Sequence, residues 1–143
     1  MNKSALFAAI SLMAVIFALS SIPQLQLYQG HIPPGVMKWL QQHTVKLGGS
    51  GFFSYEISLY PDFILHKISH VVIYGSLGIA LFLALNRSYA AVGWCMLYAF
   101  TDEIHQAYVL GRSARFGDVV LDTVAAALAI FCFCRFSKQK RKQ

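Results

Sequence analysis

The stretch FTDEIHQAYVLGRSARFGDVVLD, residues 100–122, decides how the rest of the chain is read. It places Asp102, Glu103, His105 and Gln106 at the end of one apolar run. Arg112 and Arg115 follow in a short connection bounded by glycines, and Asp118 and Asp122 open the next apolar run. The chain is 57% hydrophobic and only 13% charged, so this concentration of polarity needs a cause. Ionisable groups persist within membrane helices when they face one another, water or a ligand. Function is expected here.

Working outward, four apolar runs appear: Ala5–Ile22, Ile68–Leu85, Tyr89–Thr101 and Val119–Phe136. About 20 apolar residues cross a hydrocarbon core. The pattern therefore predicts an all-α polytopic membrane protein, a single domain over residues 1–143. Its four transmembrane helices are expected at about 5–22, 61–85, 89–108 and 117–136, with a basic cytoplasmic tail at 137–143. A mean hydropathy of +0.53 argues against a soluble bundle, since too few polar faces remain to cover one.

The net charge of +6 is not a nucleic-acid footprint. Arg135, Lys138, Lys140, Arg141 and Lys142 crowd the C-terminal tail, where such clusters hold a helix end in the cytoplasm and meet anionic lipid. Lys3 and Arg87 fall on the same side if there are four spans. Both termini are then cytoplasmic, and Arg112 and Arg115 face outward beside acids that can pair with them. Met1-Asn2-Lys3 before an apolar stretch has the form of a signal peptide, but no clear cleavage site follows, and an uncleaved first helix is expected.

Residues 23–60 lean polar. After Pro33 and Pro34, the residues Val36, Trp39, Leu40 and Leu47 recur at helical spacing, which predicts a short interfacial helix in the first outer loop. Gly48-Gly49-Ser50-Gly51 is expected to end it. Phe52, Phe53, Tyr55 and Tyr60 form an aromatic belt, and the loop as a whole is expected to rest on the membrane surface.

Pro61 and Asp62 suit the first turn of the second long helix. Lys67, His70 and Tyr74 then share one of its faces. Gly75 and Gly78 permit close packing with the alanine-rich last helix. Counting residues from the cytoplasmic ends of their helices places His70, Asp102 and Asp122 at similar depth, roughly 18–22 Å in at a rise of about 1.5 Å per residue. Three helices deliver polar groups to one level, which predicts a shared site opening outward.

Three readings of that site follow from the residues. In the first, it binds or modifies a lipid-linked or amphipathic envelope molecule. Arg112 and Arg115 hold its phosphate or carboxylate, and His70 with the acids moves protons. In the second, it is an intramembrane metal-dependent hydrolase or transferase, with His66, His70 and His105 as candidate ligands. In the third, the cluster is an ion-pair network that fixes helix register. Lys67 would pair with Asp102 or Asp118, and Arg112 with Glu103 or Asp118. The candidate ligand-binding set is Lys67, His70, Tyr74, Asp102, Glu103, His105, Gln106, Arg112, Arg115, Asp118 and Asp122. Within it, His70, Asp102, Glu103 and Asp118 are the candidates for catalysis. No cofactor is expected. The expected partners are membrane lipids and the envelope ligand, with no nucleic acid. Channel or transport activity would need a homo-oligomer. Cys95, Cys132 and Cys134, odd in number and within apolar runs, read as reduced small hydrophobes.

The same residues carry a family resemblance. IFALSS at Ile16–Ser21, HKISHVVIYGSLG at His66–Gly78 and DEIHQAYVLGRSARFGDVVLDTVAA at Asp102–Ala126 resemble the VanZ-like family of small bacterial membrane proteins. Lys67, His70 and Tyr74 occupy its Lys-x-x-His-x-x-x-Tyr pattern. Asp102, Glu103 and Gln106, then Gly111, Arg112 and Asp118, occupy the pattern that follows. His66 stands where Asp is usual and Asp122 where Asn is usual, which changes the local charge. Ala125 and Ala129 replace common glycines. The resemblance implies a four-helix fold in the cytoplasmic (inner) membrane, a shared site, and an association with resistance to teicoplanin-type glycopeptides.

Overall fold

The computed structural model describes residues 2–28, 30–49 and 51–140; Met1, Gln29, Ser50 of the glycine run and residues 141–143 of the basic tail lie outside the described residues. Among the described residues the long elements are α1 (Lys3–Ser20), α3 (Pro61–Leu85), α4 (Ser88–Ala107) and α5 (Phe116–Lys140). The loop between α1 and α3 holds a short helix, α2 (Pro34–Gln42), and a hairpin of β1 (Val45–Leu47) and β2 (Tyr55–Ile57).

The helix ends follow from local chemistry. Asn2 caps α1 by accepting a hydrogen bond from the Ala5 amide at 3.3 Å. Pro34 and Pro61 open α2 and α3, where a missing N–H costs nothing. Asn86 ends α3 in the left-handed conformation (φ 54°), which lets α4 start two residues later and run back alongside. At the opposite end Gly111 adopts φ 76° and turns the chain from α4 toward α5.

Three helices are long and apolar enough to cross a membrane: Lys3–Ser20, Pro61–Leu85 and Phe116–Ser137. Their outer faces expose Phe7, Ile10, Phe17, Val72, Leu128 and Phe131, which is far more apolar surface than a protein keeps in water. The helix α4 falls short on average composition, because its last turns carry Thr101, Asp102, Glu103, His105 and Gln106. The last helix also runs past the expected end at residue 136, as far as Lys140.

The pairing of α3 with α5 is the most extensive in the bundle. It depends on Gly78, where a Cβ would lie 2.9 Å from the Ala126 Cβ and 3.0 Å from its Cα. Leu77, Leu81, Ala91, Cys95, Ala126 and Ile130 fill the centre. The helix α1 leans on this core and is fastened to α4 by the Tyr98 hydroxyl, which donates to the Met13 carbonyl at 2.5 Å. All three cysteines are free, with Cys95 buried in the core.

The first loop differs from expectation. The helix after Pro33 forms, but it stops at Gln42 rather than at the glycines. Those glycines instead turn the β-hairpin, with Gly48 at φ 78° and Gly51 at φ 85°. Val45 pairs with Ile57, Lys46 with Glu56, and Leu47 with Tyr55. Nor does this loop simply rest on a surface. The Phe116 amide donates to the Phe52 carbonyl at 2.8 Å, and Phe52 packs edge-on against Phe100 and Phe116 at 6.1 and 6.0 Å. The hairpin is docked onto the start of α5.

Candidate functional site

One face of α3 organises the site. Its residues at i, i+3 and i+7 each meet an acid from another helix. Lys67 forms an ion pair with Asp118. His70 Nδ1 lies 3.1 Å from both carboxylate oxygens of Asp122. The Tyr74 hydroxyl donates to Asp102 Oδ2 at 3.4 Å. Asp118 and Asp122 are one turn apart on α5, so they match the spacing of Lys67 and His70 along α3. Asp102 comes from α4, and the same oxygen accepts from the Gln106 amide at 2.9 Å. That amide also reaches Ser20 Oγ on α1 at 3.3 Å. Four helices thus meet through side-chain hydrogen bonds.

The histidine geometry fixes its chemistry. Asp122 is 1% exposed and approaches Nδ1, so the carboxylate favours the proton on that nitrogen. Nε2 is left as the ring atom free to accept a proton or a hydrogen bond. His70 lines two adjoining cavities.

The wider cavity, about 350 Å³, is the more polar of the two, bounded by Glu56, Asp62, His66, Lys67, Arg112 and Arg115 among others. The narrower one, about 110 Å³, is mainly apolar and runs between Ile16 and Leu19 of α1, Leu25 and Leu27 of the loop, and Ile73 of α3. They share Leu25, His66, His70, Gln106 and Arg112. A polar basin therefore opens into an apolar slot at a ring of hydrogen-bonding side chains.

The arginines divide their work in an unexpected way. The pairing of Arg112 with Glu103 or Asp118 does not form. Arg112 Nη2 instead donates to the Leu19 carbonyl at 2.9 Å, closing the end of α1, and its Nε is buried without a protein partner among the described residues. Glu103, 1% exposed, accepts from the backbone amide of Arg115 at 2.7 Å and so shapes the connection itself. The Arg115 guanidinium turns outward to Glu56 at 3.6 Å. Lys67 takes Asp118 and leaves Asp102 to Tyr74 and Gln106, which settles the choice between the two acids.

Residues outside the candidate set, from the loop and the first turn of α3, also shape the site. Asp62 Oδ1 accepts from the Leu27 and Tyr28 amides at 2.6 and 2.9 Å, drawing the loop over α3. Its other oxygen lies 4.0 Å from His66 Nε2. The Lys67 ammonium lies over the Tyr55 and Phe63 rings, 5.2 and 5.0 Å from their centroids. Burial, followed by the charge of Asp118, raises the Tyr55 phenol above its ordinary pKa. A signal for Glu56 did exist. The chain has six acids, and all six are gathered at this end of the bundle.

His105 is not brought to the cavities. It stacks on Phe17 at 4.6 Å and meets Ser21 Oγ at 3.1 Å, on the far side of α4. His66, His70 and His105 therefore do not converge. Among the described residues no three His, Cys, Asp or Glu side chains form a group that could hold a metal ion.

A family model described as VanZ/LLP1 matches residues 5–137, nearly the whole chain. The chain belongs to that family. No curated protein and no solved structure matches it.

Proposed function

We propose that this VanZ/LLP1 protein crosses the bacterial cytoplasmic membrane four times and binds, at its outer face, a lipid-linked or amphipathic envelope molecule. The observation that carries the reading is the junction of the two cavities. A polar basin of about 350 Å³ continues into an apolar slot of about 110 Å³ at Leu25, His66, His70, Gln106 and Arg112. A ligand with a polar head and an apolar portion matches both. A purely structural ion-pair network would gain from closing on itself, because buried pairs repay their desolvation poorly. Here the paired residues wall an open space instead.

Two features support α4 as the fourth span. Its 20 residues cover about 30 Å, the thickness of a hydrocarbon core. Its outer face exposes Trp94, Met96, Leu97, Phe100 and Ile104, while Asp102, Glu103 and Gln106 are buried inside. Average hydropathy undercounts such a helix. With four spans, Lys3, Arg87 and the basic tail lie on the cytoplasmic side and the cavities open outward. The short helix α2, with Trp39 about half exposed, then sits at head-group depth. An envelope ligand in this basin is also the chemistry on which a role in teicoplanin-type resistance would rest.

The test is native mass spectrometry, with elemental analysis, of protein purified in neutral detergent. A retained phospholipid or lipid-linked sugar at one per chain, lost in Arg112→Ala, is expected. Spectra free of lipid at every collision energy would count against the reading. A stoichiometric metal lost in His70→Ala would favour a metal-dependent hydrolase in its place. For topology, Ser113→Cys is expected to react with an impermeant thiol reagent on intact cells. Labelling only after lysis would reverse the orientation.

A further inference from the structure

Among the bases of the polar basin, two are paired with carboxylates and one is not. Lys67 is taken by Asp118 and Arg115 by Glu56. Asp62 is engaged by two backbone amides. Arg112 alone among these bases has no carboxylate partner among the described residues. Its one protein acceptor is the Leu19 carbonyl, a neutral group. A guanidinium offers five N–H donors. Arg112 therefore keeps both a net charge and unused donors, and it stands at the junction of the two cavities.

The slot beyond it is narrow and leads to the surface. Leu19 and Leu27, which line it, are 37% and 41% exposed, so the slot reaches the outer side of the bundle between α1 and the loop. Asp102 also borders it, but that residue is 5% exposed and one of its oxygens is held by Tyr74 and Gln106. Ile16, Leu25 and Ile73 supply the rest of its apolar wall, and Ser20, Ser69, His70 and Tyr74 also border it.

Building on the amphiphile reading, we infer that the site selects an anionic amphiphile, with its phosphate or carboxylate on Arg112 and a single hydrocarbon chain along the slot past Ile73. Arg115 is not part of the seat, because Glu56 already holds it. The single chain follows from the slot's small volume, about 110 Å³, beside a basin bordered by charged side chains. The anion follows from the unmatched guanidinium, which pairs with carboxylate or phosphate through two parallel N–H donors.

The experiment uses the full chain, exchanged into a neutral maltoside detergent, with three probes: decyl phosphate, decyl glucoside and inorganic phosphate. Binding is read by native mass spectrometry. Decyl phosphate is expected to bind one per chain, about tenfold or more tighter than decyl glucoside, the size of one charge-assisted hydrogen bond. Arg112→Gln should erase that preference, and Arg112→Lys should keep most of it, which separates lost charge from lost folding. Ile73→Trp, filling the slot, should weaken both decyl probes alike.

Equal binding of phosphate and glucoside would overturn the anionic head while leaving the amphiphile reading in place. Inorganic phosphate binding as well as decyl phosphate would overturn the chain slot and point to a free-anion site. Failure of both decyl probes on protein that still carries a native lipid would overturn the single-chain assignment. Failure of both on protein that carries none would remove the amphiphile reading as well.

Discussion

The two halves of α3 face the same partner helix and do opposite things. From Leu77 to Ala84 its buried residues are Leu77, Gly78, Ala80, Leu81 and Ala84, and α5 answers with Ala126 and Ile130. Nothing polar intervenes, and the backbones come close enough for a Gly78 Cβ to meet Ala126 at 2.9 Å. From Lys67 to Tyr74 the same face carries long polar side chains, and α5 answers with Asp118 and Asp122. There the helices are joined through side-chain tips, and cavities open beside them. Small residues in a membrane bundle gain from dispersion and close fit, which leaves no room for a ligand. Polar pairs hold the elements at arm's length, which leaves room.

The comparison can be broken first at its tight end. Gly78→Leu puts a side chain against the Ala126 backbone, which cannot move aside cheaply. A loss of about 3 kcal/mol, at the upper end of overpacking, is expected in thermal unfolding in detergent. An unchanged Tm would mean that the close approach is not what holds α3 to α5. At the open end the test is the Lys67–Asp118 pair. Lys67→Met or Asp118→Asn alone should each cost about 2 kcal/mol, less than for a fully buried pair because these side chains are partly exposed. The double variant should recover part of the loss, and simple additivity would show that the two charges are not coupled. The smallest effect is expected at the rim. Glu56→Gln removes a solvent-accessible partner of Arg115 and should change stability by less than about 0.5 kcal/mol. A large loss would place the hairpin among the elements that hold the bundle together.

Much of this was legible in the sequence because membrane helices announce themselves. Long apolar runs located α1, α3 and α5, although α5 runs on past residue 136 to Lys140, and the i, i+3, i+7 spacing placed Lys67, His70 and Tyr74 on one face. Depth counting brought His70 and Asp122 to one level, and they are in contact. The arginines were less legible. Arg112 and Arg115 sit three residues apart in an irregular connection, where no period says which way a side chain points. Backbone geometry turned one to the Leu19 carbonyl and the other to Glu56. His105 was misplaced for a related reason. It lies two residues from Glu103 and next to Gln106, spacings at which side chains on a helix do not face each other.

The sequence by itself determined the class of the molecule, the long helices and the set of polar residues that must find one another. Those are properties of composition and short-range period, fixed by the cost of exposing polar groups to lipid. Tertiary structure alone decided which acid each base took, that the first loop lies across the site, and that a polar basin meets an apolar slot at Arg112. Partner choice depends on distances between elements far apart in the chain. Glu56 and Arg115 meet only because the hairpin docks on Phe116, a contact made by both the backbone carbonyl and the ring of Phe52, far from Phe116 in the chain.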